Sequence, residues 1–79
     1  MNTYVFVDNY YANKPGVHTV VYVVKAHSEE EAWQKFSKYA IPNFGLRRNS
    51  SIEDVKAHFD GMLNVYGPSA VYDMSADRI

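Results

Sequence analysis

The run at residues 18–26, HTVVYVVKA, limits what this chain can fold into more than any other segment. It is rich in β-branched and aromatic residues, which predicts a strand. Its apolar side chains fall on both faces, with Val20, Tyr22 and Val24 on one and Val21 and Val23 on the other. A strand apolar on both sides is usually central, with cover above and below. The chain has only 79 residues to supply that cover, and no cysteine. A single α+β domain over residues 1–79 is expected, because two separate cores would each be too small to fold unaided. Packing alone must hold it, without disulfides or thiolate zinc sites, and a core of this size rarely supplies more than ~3–5 kcal/mol.

Residues 3–8 (TYVFVD) alternate and predict a first strand, so the two strands form a hairpin. The long loop between them, residues 9–17, collects Asn, Pro and Gly and carries Tyr10 and Tyr11. Ser28-Glu29-Glu30-Glu31 matches a capping box, in which the Ser hydroxyl accepts from the amide of Glu31 and the Glu31 carboxylate reaches back to the amide of Ser28. Ala32, Trp33, Phe36, Tyr39 and Ala40 then share one helical face. This helix is expected to end near Ala40, since Pro42 disfavours helical geometry at Ile41. Ser51-Ile52-Glu53-Asp54 opens a second helix, with Ile52, Val55, Phe59, Met62 and Leu63 on one face. Gly67-Pro68 predicts a turn, residues 69–74 (SAVYDM) a short third strand, and residues 75–79 a frayed tail. The order β-β-α-α-β implies a two-layer fold, a three-stranded and mainly antiparallel sheet with two helices on one face. The other face must then be exposed, packed by a loop or the tail, or buried by a partner.

No apolar run approaches the ~20 residues that span a bilayer, and the first residues lack the basic and apolar regions of a signal peptide, so no membrane association and a cytoplasmic location are expected. Eight Lys and Arg against nine Asp and Glu give a net charge of −1, which disfavours a protein that holds nucleic acid mainly through phosphates. Aromatic residues make up 15% of the chain, seven of them Tyr. Surplus Tyr either lines partner-facing surfaces or fills the volume of a small core.

Five acids stand at the two helix starts: Glu29, Glu30, Glu31, Glu53 and Asp54. Each offsets the helix macrodipole by ~0.3–1 kcal/mol, which is reason enough for their presence. Side by side, the two starts would also form a negative patch suited to docking on a basic, nucleic-acid-binding surface. Tyr10 and Tyr11 are partner-binding candidates, because adjacent residues in extended backbone point oppositely and at most one easily reaches the core. Arg47 and Arg48, with Lys14, form the best basic cluster, able to bridge phosphates or carboxylates. His18, His27 and His58 have no metal-ligand spacing, and no nucleophile, phosphate-loop or dinucleotide motif is present. No metal, no cofactor and no enzymatic activity are expected.

The segments Tyr4-Val5-Phe6-Val7-Asp8-Asn9 and Val21-Tyr22-Val23-Val24-Lys25-Ala26 followed by the capped helix start resemble the first strand and a strand-to-helix step of the RNA-recognition motif family. That resemblance implies Tyr4, Phe6 or Tyr22 stacking bases on an open sheet face, assisted by Arg47 and Arg48. The intervening helix and strand and the glycine-rich third-strand pattern of that family are missing here. In overall character the chain also resembles small phage-encoded inhibitors of anti-CRISPR type: short, cysteine-free, Tyr-rich, with a capped helix after a hairpin. This second resemblance implies a non-enzymatic inhibitor whose partner is a protein, such as a basic subunit of a CRISPR surveillance complex in a bacterial host. A third expectation is self-association, with the open sheet face or an edge strand forming a homodimer.

Overall fold

The computed structural model describes residues 2–9, 20–69 and 77–78. In chain order the elements are β1 (Asn2–Asp8), β2 (Val20–Ala26), α1 (Glu29–Asn43), α2 (Ile52–His58), β3 (Leu63–Ser69) and β4 (Asp77–Arg78). The sheet order is β3-β1-β2-β4. β1 pairs antiparallel with β2, Phe6 opposite Tyr22, and antiparallel with β3, Phe6 opposite Val65. The expected α+β fold is present, with β2, β1 and β3 as three antiparallel strands and two helices.

β1, flanked by β2 and β3, is the middle of the antiparallel trio. β2 is interior only where two residues of β4 pair parallel to it, Tyr22 with Asp77 and Val23 with Arg78. Those two residues fall where a frayed tail was expected.

Three boundaries differ from the sequence expectation, each for a local reason. α1 runs through Pro42 to Asn43 instead of stopping at Ala40. Proline deprives only the carbonyl of Lys38 of its donor, and Lys38 is exposed, so the interruption falls on the solvent side of the helix. α2 stops at His58, because Asp60 and Gly61 both take left-handed φ values of 51° and 73° and turn the chain back. Leu63 therefore begins β3 and Met62 is exposed, so neither extends the helical face. Gly67-Pro68 lies inside β3 instead of forming a turn before a strand at 69–74; of that stretch, residues 70–74 lie outside the described residues. β3 is an edge strand, where a residue without an N–H is tolerated. The register of β1 against β3 shifts between Thr3 and Val5, opposite this dipeptide.

Alternation decides which side chains meet the helices. Tyr4 and Phe6 of β1, Tyr22, Val24 and Ala26 of β2 and Leu63 of β3 face Ala32, Trp33, Phe36 and Ala40 of α1 together with Val55 and Phe59 in one buried cluster. The rings interlock: Phe36 lies flat on Phe6, and Tyr22, Trp33 and Phe59 meet Phe36 at steep angles. Much of the aromatic surplus is thus core. On the opposite face Val5, Val7 and Val21 are half-buried, Val23 is 2% exposed, and Tyr66 is exposed. Among the described residues no helix is long and apolar enough to cross a membrane.

Candidate functional site

The two capped helix starts determine where the acids go. Ser28 accepts from the Glu31 amide at 3.1 Å, and Glu31 accepts from the His27 amide at 3.2 Å while pairing with Lys35 at 3.5 Å. The His27 N–H, helped by the positive charges of His27 and Lys35, holds the Glu31 carboxyl below its ordinary range. At α2 the capping box is complete: Ser51 accepts from the Asp54 amide at 3.1 Å and Asp54 from the Ser51 amide at 2.9 Å. The Ser51 N–H, then its hydroxyl, lower the Asp54 carboxyl in the same way. Glu31 and Asp54 are therefore engaged as caps and are not presented outward as a pair of free carboxylates.

The other three acids converge. Glu29, Glu30 and Glu53 line one groove with Trp33, Ile52 and Lys56, a concavity of about 320 Å³. A second concavity, of about 350 Å³, adjoins it and shares Glu29, Trp33 and Lys56, continuing over Gly61, Leu63, Asn64 and Val65. Helical spacing explains half of this arrangement: Glu29 and Glu30 stand four and three residues before Trp33 and so share its face. The packing of α2 beside α1 supplies the rest. Trp33 is 8% exposed, so the cleft reaches a ring that is otherwise core. The Lys56 ammonium sits over that ring, 4.7 Å from its centroid, and 3.8 Å from Glu53. Among the described residues Glu29 and Glu30 make no ion pair.

The remaining candidates fall elsewhere. Tyr4, Phe6 and Tyr22 are 4%, 0% and 4% exposed and lie beneath the helices, so they cannot stack bases on an open face. Alternation groups Tyr4 with Phe6 correctly; the resemblance to the RNA-recognition motif implied an open face for them, and the structure buries that face under the helices. Arg47 and Arg48 are exposed in the loop after α1; neither lines the acidic cleft, and Arg48 lines a separate groove. Tyr10 and Tyr11 lie outside the described residues, as does Lys14. Sequence reasoning missed Trp33 and Lys56 as site residues. The signal for Trp33 was available in its spacing from Glu29 and Glu30; Lys56 becomes visible only once α2 is placed. Among the described residues no group of three or more His, Asp or Glu side chains is arranged to hold a metal ion.

Comparison with known proteins finds no matching family model, no matching curated protein and no matching solved structure.

Proposed function

We propose that this chain is a non-enzymatic binding protein that inhibits or modulates a larger assembly by docking a basic surface of that assembly into the cleft at Trp33. One observation carries the reading: Glu29 and Glu30 of α1 and Glu53 of α2 border a single aromatic floor on which a cation already rests. An arginine from a partner fits the same seat, since a guanidinium stacks on an indole and pairs with carboxylates in one pose.

Magnitudes decide what kind of partner this is. A cation–π contact contributes ~0.5–2 kcal/mol and each exposed ion pair ~0.2–1 kcal/mol. Together they reach only a few kcal/mol, and ~4 kcal/mol corresponds to millimolar affinity. A free cation would be held weakly, so the arginine must arrive on a macromolecular surface that supplies further buried area. The most concrete version is an anti-CRISPR-type inhibitor that covers the basic, nucleic-acid-binding surface of a surveillance complex. Burial of Tyr4, Phe6 and Tyr22 weighs against the alternative of a single-strand-binding sheet.

A pull-down against a panel of purified CRISPR surveillance complexes tests the specific version, with E29K/E30K/E53K as the control whose fold is checked by circular dichroism. Retention of at least one complex by the wild type, and its loss with the variant, is expected. Failure to retain any of them removes the anti-CRISPR version, and equal retention by the folded variant removes the cleft.

A further inference from the structure

At the other end of α1 the chain builds a second groove of opposite charge. Phe44 donates to the Ala40 carbonyl at 2.8 Å and Leu46 to the Ile41 carbonyl at 2.9 Å, with Gly45 between them at a left-handed φ of 71°. This closure of a helix C-terminus brings the residue after the glycine against the last helical turn, so Leu46 meets Ile41. The Pro42 ring stands beside them, Lys38 lies one turn back on the same face, and Arg48 comes round two residues beyond Leu46. These five side chains line a groove of about 430 Å³, within the ~300–1,000 Å³ typical of small-ligand sites.

Its chemistry is that of a site for an amphipathic anion. The floor is aliphatic, which disfavours inorganic phosphate or a bare sugar. Among the described residues neither Lys38 nor Arg48 makes an ion pair or side-chain hydrogen bond, so both charges are available. The carbonyl end of the helix dipole opposes an anion here, with about half a charge. Two of its carbonyls are already taken by Phe44 and Leu46, and the two full positive charges outweigh what remains. We infer that this groove binds a small apolar carboxylate, its hydrocarbon body on Ile41, Pro42 and Leu46 and its anionic head between Lys38 and Arg48. The inference is independent of the cleft at Trp33.

A ¹H–¹⁵N NMR titration of the full chain tests it, using octanoate, octylammonium and octyl glucoside as probes of equal chain length and different charge. Octanoate is expected to give saturable shifts at the amides of Ile41, Gly45, Leu46 and Arg48, with affinity at least about tenfold above the other two. Lys38→Gln/Arg48→Gln, both exposed, should weaken octanoate about tenfold while leaving the rest of the spectrum in place. Equal response to octyl glucoside, shifts confined to other residues, or unchanged octanoate affinity in the double variant would each overturn the assignment.

Discussion

The Phe6 ring stacks on the Phe36 ring with centroids 4.6 Å apart and planes inclined by 8°, joining the middle strand of the sheet to the centre of α1. Both side chains are fully buried. Phe→Ala in such a site costs ~3–5 kcal/mol, which is as much as a core of this size supplies in total. Phe36→Ala should therefore show no cooperative thermal transition by circular dichroism. Phe36→Leu keeps most of the volume and should melt cooperatively, with a loss of roughly 1–1.5 kcal/mol.

Gly67 is required by backbone approach. A Cβ there would lie 2.8 Å from the Thr3 carbonyl oxygen and 2.8 Å from Cδ1 of Tyr4, at a φ of 149° that side chains rarely adopt. Gly67→Ala is expected to cost about 1–3 kcal/mol and to speed hydrogen exchange in the pairing of β1 with β3 before that of β1 with β2. Gly45 faces open space, so its alanine variant should lose only about 1 kcal/mol from its left-handed backbone. Equal losses at the two sites would refute the steric account.

Two caps contribute to acid sensitivity. Glu31 and Asp54 are both lowered in the folded protein from ordinary values of 4.5 and 3.8. Folding therefore favours their ionised forms, and the stability they contribute is present above the unfolded values and lost as pH falls through the folded ones. Melting temperature should fall on acidification from about pH 5 downward. The Glu31→Gln/Asp54→Asn variant should show a shallower fall over the same range, and an identical slope would assign the acid limb to other groups.

Lys56 competes for the seat a partner cation would take. Trp33 is the sole tryptophan in the chain, so its emission reports the cleft directly. Titration with an oligo-arginine peptide should change that emission saturably and weaken as salt rises. Lys56→Met should tighten the peptide about two- to fivefold, the equivalent of a released cation–π contact of ~0.5–1 kcal/mol. Unchanged affinity would mean that Lys56 is not a competitor.

What could be read from sequence was what local chemistry determines. Ser28 and Ser51 are N-caps because a hydroxyl three residues before an amide is a local arrangement, independent of the rest of the fold. The alternation of Tyr4 with Phe6 and of Tyr22 with Val24 was equally legible. Which face the helices would cover was not, because period two groups side chains without saying which group is buried. The spacing of Leu63 from Val55 and Phe59 suits a helix, and only the two left-handed residues at Asp60 and Gly61 break the pattern and move it into β3. At the cleft, the carboxylates stand out, whereas Trp33, although three and four residues from Glu30 and Glu29, reads as core because it lies on an apolar stripe.

The strand in the middle of the antiparallel trio is also the first to be synthesised. β1 can pair with β2 once both have left the ribosome, but its other edge stays vacant until Leu63–Ser69 follows. At roughly 5–20 residues per second, translation leaves that edge of an apolar strand waiting for seconds. During this interval the unpaired backbone of residues 2–8 is a template for any extended chain nearby. Yield in the cell should then respond to elongation rate and to chaperones that shield nascent strands, even where the finished protein is unaltered.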